Sequence, residues 1–288
     1  MTLWREDPLT GAPVAVVAGR QDRPHLPSEG CPFCPGGLEA PETYEVRWFP
    51  NRWPALPDGR CEVVLYTPLH DASLASLGPE GAARVVDLWA ARTAALGARP
   101  DVGYVLVFEN RGREVGATID HPHGQIYAYP GIPPVPTGEL ARSGQGCPLC
   151  TPPPSPLLVA AHGGWSLTAA AAPGWPYELL LAPDGHVPDL PAVAADPGLR
   201  SGLAESLADA VGRLDGLFSA PMPYMLWFHQ RPTDGGSWPA AHVHAHLAPV
   251  LRGPGLVRYV AAAEVGGGVM FNPVGPEEAA AALRSLAR

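Results

Sequence analysis

The chain has 288 residues, 46% of them hydrophobic and 16% charged, with a formal net charge of -9. A domain usually takes about 100 to 200 residues, so this length predicts two domains or one large one, with room for a substantial core. The acidic balance excludes a nucleic-acid binder that works through a general basic field, so any phosphate partner must be gripped locally. All 19 basic residues are arginine, which excludes a lysine Schiff base, a Walker-type phosphate lysine and a lysine-nucleotidyl intermediate. Proline (37) and glycine (33) are abundant, but apolar runs interrupt them throughout, and they read as turns of a folded chain. The start MTLWREDPLT lacks the basic-then-apolar pattern of a targeting peptide. No run approaches the roughly 18 apolar residues of a membrane span. A cytoplasmic protein with no membrane partner is expected.

Alternation and β-branched content predict strands at 12–18, 44–49, 61–67 and 103–109, with an amphipathic helix from Pro79 to Ala98 between the last two. A proline-rich connection over 130–156 follows, and then the pattern restarts. Strands are expected near 165–171 and 177–183, a helix near 196–219, strands near 224–230 and 242–250, and a closing helix at 276–287. Cys31 to His70 and Cys147 to His186 are both 39 positions, and each half ends its run in a histidine cluster, HPHGQ at 121–125 and HVHAH at 242–246. Two copies of one mixed unit are inferred, over 1–140 and 141–288, each an antiparallel sheet with a helix and joined through their sheets across a pseudo-twofold. The fifth cysteine, Cys61, lies in an apolar run and reads as a buried, inert thiol.

Cys31, Cys34, His70 and His121 offer two thiolates and two imidazoles, a set that suits tetrahedral Zn²⁺ and leaves no open position for substrate. In HPHGQ the two histidines and Gln125 fall on one face of an extended segment. With His121 tied to the metal, its carbonyl can hold Nδ1–H of His123 and leave Nε2 as a nucleophile. Gln125 can donate to a phosphoryl oxygen but cannot act as a general base near neutral pH, so it favours transfer over hydrolysis. His242, His244 and His246 alternate by two and share one strand face.

FENRG at 108–112, Gly116 and HPHGQ together resemble the active-site signature of the galactose-1-phosphate uridylyltransferase family, a branch of the histidine-triad superfamily. CPFC, NRW, TPLHDASL, YELLLAP, WFHQRP, HVHAHLAPVLR and RYVAAAE resemble family segments in the same order. The resemblance implies an α+β fold of two histidine-triad-like units whose antiparallel sheets form an open half-barrel with flanking helices, working as a homodimer. It implies ping-pong transfer of uridylyl from UDP-glucose to galactose 1-phosphate through a uridylyl-His123 intermediate. It also implies phosphate contacts from Asn110, Arg23 and Arg258, a sugar contact from Glu264, and a hydroxyl from Thr118 where the family commonly has serine. Arg258 stands where the family has lysine; a guanidinium keeps the charge with altered positioning. Some relatives hold structural iron with a glutamate and three histidines, which Glu139, His229, His244 and His246 resemble, and that set suits Fe²⁺ or Zn²⁺. Relatives with a second cysteine pair bind another zinc, and Cys147, Cys150, His186 and His242 match that pattern. Three other readings stand beside this one: a related phosphorylase such as ADP-glucose phosphorylase, a transferase for an unusual sugar 1-phosphate, and a catalytically silent zinc-bound interaction module.

Overall fold

The computed structural model describes residues 2–21, 30–144 and 146–286. Arg23 lies outside the described residues. In the first half the strands are β1 (Leu3–Glu6), β2 (Pro13–Val16), β3 (Arg47–Pro50), β4 (Cys61–Leu65), β5 (Tyr104–Arg111) and β6 (His123–Tyr129), with α1 (Leu74–Gly97) between β4 and β5. Next comes α2 (Pro134–Ser143), followed by β7 (Leu158–His162), β8 (Trp165–Ala169), β9 (Leu179–Pro183), α3 (Leu190–Ala195), α4 (Pro197–Leu217), β10 (Tyr224–His229) and β11 (His244–Pro249). The chain then runs through β12 (Leu251–Gly253), β13 (Leu256–Val257), α5 (Ala262–Gly267) and α6 (Pro276–Arg284).

Among the described residues, nine strands form one open antiparallel sheet in the order β3-β4-β6-β5-β10-β11-β9-β8-β7. The restart seen in the sequence is visible here, because β3-β4-β6-β5 is mirrored by β8-β9-β11-β10, and the two runs join where β5 pairs with β10. The registers make the equivalence residue-specific. Gln125 pairs with Val63 and Phe108, and His246 pairs with Leu180 and Trp227. His123 is therefore equivalent to His244, Gln125 to His246 and Asn110 to His229.

One face of the sheet carries the main core; on the other, β6 is half-buried, while Val63 and Leu65 of β4 pack with Phe33 and Ala40. Val105, Val107, Ile126, Ala128, Leu226, Phe228, Ala245 and Leu247 point into the core, where Trp89 of α1 and Leu203 and Leu207 of α4 meet them. Large-to-small changes at such sites cost about 2–5 kcal/mol. Helix α1 begins with a turn capped by Ser73 and Ser76, breaks at Gly78 (φ 64°), and resumes at Pro79, a first-turn position where the missing N–H has no cost. Asp196 caps α4 by accepting from the N–H groups of Gly198 and Leu199. Ala82, Ala83 and Ala204 cluster between the two helices, and Arg200 grips Asp87 beside them.

The region 130–156, expected to be a plain connection, contains α2. Its prolines sit in or ahead of the first turn, where they start a helix as readily as they break one. Cys61 is buried as expected, accepts from Leu56 N–H, and burial pushes its thiol up. Among the described residues, no helix is long and apolar enough to cross a membrane.

Candidate active site and metal centres

The ligand atoms of Cys31, Cys34, His70 and His121 all lie within 4.8 Å of one another. Tetrahedral zinc, with Zn–S about 2.3 Å and Zn–N about 2.0–2.1 Å, keeps its sulfur and nitrogen ligands roughly 3.5 Å apart. Cys34 Sγ stands 3.6 Å from Nδ1 of both His70 and His121. His121 Nε2–H donates to the Thr67 carbonyl at 2.7 Å, which leaves Nδ1 facing the thiols, and burial holds this imidazole toward its neutral form. Tyr44 braces the same corner, its hydroxyl donating to the Phe33 carbonyl at 2.6 Å. The tight knuckle needs glycine at Gly37, because a Cβ there would meet the carbonyl oxygens of Cys31, Pro32 and Cys34 at 2.6–2.8 Å.

The second set repeats this geometry. The ligand atoms of Cys147, Cys150, His186 and His242 fall within the same 4.8 Å limit. Cys147 Sγ is 3.2 Å from His242 Nδ1, and Cys150 Sγ is 3.3 Å from His186 Nδ1. Burial and the neighbouring His186 and His244 lower His242 to about 4, so it is neutral and ready to ligate at pH 7. Both sets fit zinc by donor type and spacing.

The third set is Glu139 from α2 with His229, His244 and His246 from β10 and β11. Both ring nitrogens of His246 are buried without a hydrogen-bond partner, and His229 Nδ1 lies 2.7 Å from the Glu139 carboxylate without hydrogen-bond alignment. Convergent lone pairs of this kind fit a cation. Burial opposes the Glu139 carboxylate, yet His229 and His244 hold it well below the usual carboxylate range. The Trp227 ring stacks on His246 at 4.9 Å and fixes its plane.

On the equivalent face of the first half, His123 Nδ1–H donates to the His121 carbonyl at 2.7 Å, and Phe33 packs against the His123 ring at 5.1 Å. His123, Gln125 and Thr118 line a cleft of about 840 Å³ together with the Cys31–Glu39 knuckle, Phe49, Asn51, Arg52 and Trp53. Arg52 reaches across its rim to Glu39 at 2.9 Å. Asn110 shares the half-buried face with Gln125 but does not line the cleft. Arg258 and Glu264 are not in the cleft either. They form a buried ion pair, with Arg258 over the Trp175 ring at 4.6 Å and Glu264 accepting from Ala261 and Phe271 N–H.

Sequence reasoning missed three residues. Asn51 donates to Gln125 Oε1, and its only sequence signal was its place in the NRW segment. Glu109 of β5 and Tyr224 of β10 form a buried pair, bonded at 2.9 Å, and Glu109 is pushed up to about 7 by complete burial. Glu109 was visible only as a letter of FENRG.

Comparison with known proteins agrees along the whole chain. The domain families described as "Galactose-1-phosphate uridyl transferase, N-terminal domain" and "C-terminal domain" match residues 50–133 and 158–287. Proteins named galactose-1-phosphate uridylyltransferase from Thermotoga maritima and Streptomyces lividans are 34% and 36% identical, over 97% and 98% of this chain and 97% and 86% of theirs. A solved structure titled "Structure of uridylyltransferase" superposes with TM-score 0.90 at 28% identity, covering 99% of this chain and 98% of that one. An ADP-glucose phosphorylase from Arabidopsis thaliana with bound ADP-glucose shares the fold, with TM-score 0.79 at 22% identity over 99% of this chain and 98% of its own. With family matches in both halves and more than a third of its residues shared with a near full-length relative, the chain belongs to the galactose-1-phosphate uridylyltransferase family.

Proposed function

We propose that this nucleotidyltransferase moves uridylyl from UDP-glucose to galactose 1-phosphate in two displacements at His123. The observation that carries the reading is the 2.7 Å bond from His123 Nδ1 to the His121 carbonyl, on a strand whose next same-face residue is Gln125. That bond fixes the tautomer, so the lone pair is on Nε2. Nε2 attacks the α-phosphorus, the P–O bond to glucose 1-phosphate breaks, and the leaving phosphate takes the electron pair. The positive charge that develops on the ring is shared with the His121 carbonyl. Galactose 1-phosphate then attacks with an oxygen that is already anionic, so no general base is needed, and the N–P electrons return to Nε2. Gln125 and Thr118 are placed to donate to the phosphoryl oxygens.

The two Cys₂His₂ sets would hold Zn²⁺ in closed, structural sites, and Glu139 with its three histidines would hold Fe²⁺ or Zn²⁺. Held by Cys31, Cys34, His70 and His121, the first zinc would fix the backbone whose carbonyl holds His123. Units at 1–140 and 141–288 follow from the same reading. All five cysteines are free, and thiolate ligands persist in a reducing cytoplasm, where we place the protein. A homodimer is proposed because Arg258 and Glu264 do not line the cleft of their own chain, while Tyr259, Val265 and Phe271 beside them are exposed. A second copy would cover that apolar segment and bring the pair toward substrate.

A second reading, transfer of adenylyl, draws on a 25% identical ADP-glucose phosphorylase matching 98% of this chain. Incubation with UDP-glucose and with ADP-glucose, each labelled at the α-phosphate, separates the two. UDP-glucose is expected to leave an acid-labile, alkali-stable label on His123, and His123→Asn to lose the label and about 10⁴-fold or more of turnover with zinc content unchanged. Labelling of that variant at the parent level would remove His123 as nucleophile, and labelling by ADP-glucose alone would favour the second reading.

A further inference from the structure

Gln125 can help a phosphoryl group only if its amide presents nitrogen to the cleft, because an outward Oε1 would repel the developing negative charge. A side-chain amide is nearly symmetric in shape, so something must choose between the two orientations. The chain of hydrogen bonds leading to it begins at a group that has no choice. The backbone N–H of Trp53 is only a donor, and it meets Asn51 at 2.9 Å, so the atom there is Oδ1. The other end of Asn51 is then Nδ2, also only a donor, and it meets Gln125 at 3.2 Å, which requires Oε1 on that side. Nε2 of Gln125 is left for the cleft. Asn51 is itself anchored by its backbone N–H to the Cys61 carbonyl at 2.8 Å.

The second half supplies an internal comparison. Ala170 N–H reaches the Glu178 carbonyl as Asn51 N–H reaches Cys61, and both positions lie two residues beyond strand partners of equivalent register, Phe49 with Val63 and Thr168 with Leu180. Ala170 therefore stands in place of Asn51 in the half where His246 stands in place of Gln125. An imidazole used for its lone pairs needs no amide to orient it. The asparagine is present where the glutamine is and absent where it is not.

We infer that Asn51 is a positioning residue that turns the Gln125 amide so that Nε2 faces the transferring phosphoryl group. The inference rests on the phosphoryl role proposed for Gln125, and the test separates the two. Asn51→Asp keeps the shape and the bond from Trp53 N–H, but offers Gln125 an acceptor, so Nε2 turns inward to meet it and Oε1 turns to the cleft. Asn51→Ala merely releases the amide. Measured on the full-length zinc-loaded protein, kcat is expected to fall about 10-fold for Asn51→Ala and about 10²-fold for Asn51→Asp, with KM for UDP-glucose changed less than about 3-fold. In a Gln125→Ala background both Asn51 substitutions are expected to cost less than about 3-fold, because there is no amide left to orient. If Asn51→Asp costs as much in that background as in the parent, the loss is one of charge or folding and the inference is overturned. Should the aspartate variant fail to bind zinc, Asn51→Ala gives the same coupling, and its cost must likewise vanish without Gln125. Gln125→Ala transferring at the parent rate would instead remove the phosphoryl role, and the inference with it.

Discussion

Strands β6 and β11 share a frame and differ in what they do with it. Just ahead of each, a histidine sets Nδ1 against a cysteine pair and lends its carbonyl to Nδ1 of the histidine that opens the strand, at 2.7 Å for His123 and 2.8 Å for His244. The next same-face residue is Gln125 in one and His246 in the other, and the neighbouring strand brings Asn110 or His229. The β6 face opens on a cleft of about 840 Å³, whereas α2 lies across the β11 face and leaves a cavity of about 30 Å³ beside Glu139. An amide nitrogen has no lone pair to give, so the first frame can donate to phosphate and the second can bind a cation. The comparison teaches that the paired-histidine frame is neutral as to function. The residue two positions on, and whatever covers the face, set whether the frame offers a donor to an open cleft or lone pairs to a closed cluster.

The strongest way to break this comparison is to remove each cysteine pair in turn. Replacing Cys147 and Cys150 by serine should lower zinc by about one ion per chain and spare most turnover, because that set does not include or brace His123. Replacing Cys31 and Cys34 should cost an ion and also about 10²-fold or more in turnover, through loss of the fixed His121 carbonyl. Metal analysis beside steady-state rates checks both, and equal loss of turnover in the two variants would end the distinction. Gln125→His writes the β11 pattern into β6. Uridylyl transfer should slow by about 10²–10³-fold, and a larger share of intermediate should go to water, read as the ratio of UMP to UDP-galactose from pre-labelled protein.

Below the two frames the halves differ again, since Glu109 occupies the place that Phe228 fills in the second half. Glu109 is raised from 4.5 to about 7 by burial, despite the bond from Tyr224 and the charge of Arg111. A raised carboxyl stabilises the fold below its unfolded value and loses that contribution as pH climbs through the folded one. Relative to Glu109→Gln, the parent should therefore lose about 3 kcal/mol of stability between roughly pH 4.5 and 7, with no further loss above. Denaturant titrations of both proteins across that range measure it, and parallel curves would contradict the assignment. The smallest effect tests a single methyl. A Cβ at Gly124 would collide with the Tyr66 hydroxyl, whereas Ala245 at the equivalent place is fully buried in the core. Gly124→Ala should cost about 1–3 kcal/mol by overpacking, and Ala245→Gly about 1 kcal/mol by backbone entropy, both read from melting curves.

The sequence alone determined what is local or covalent. The repeated 39-residue spacing, the alternation that puts His123 and Gln125 on one face, and the mirrored order of strands and helices around α1 and α4 could all be read without a structure, because they depend on chain length and on side-chain periods of 2 and 3.6. The sequence did not reveal α2, since prolines that open a helix look the same as prolines that fill a loop until Glu139 is seen against His229. It did not show that Arg258 and Glu264 pair with each other rather than line the cleft beside His123. Nor did it join Asn51 to Gln125, which lie 74 residues apart and meet only because β3, β4 and β6 pair in one register. A register shift of one residue would turn Asn51 and Gln125 to the opposite face, and that register is fixed by burying the core face of the sheet, with α1 and α4 packed on it, together with Val63 and Leu65 of β4 against Phe33 and Ala40.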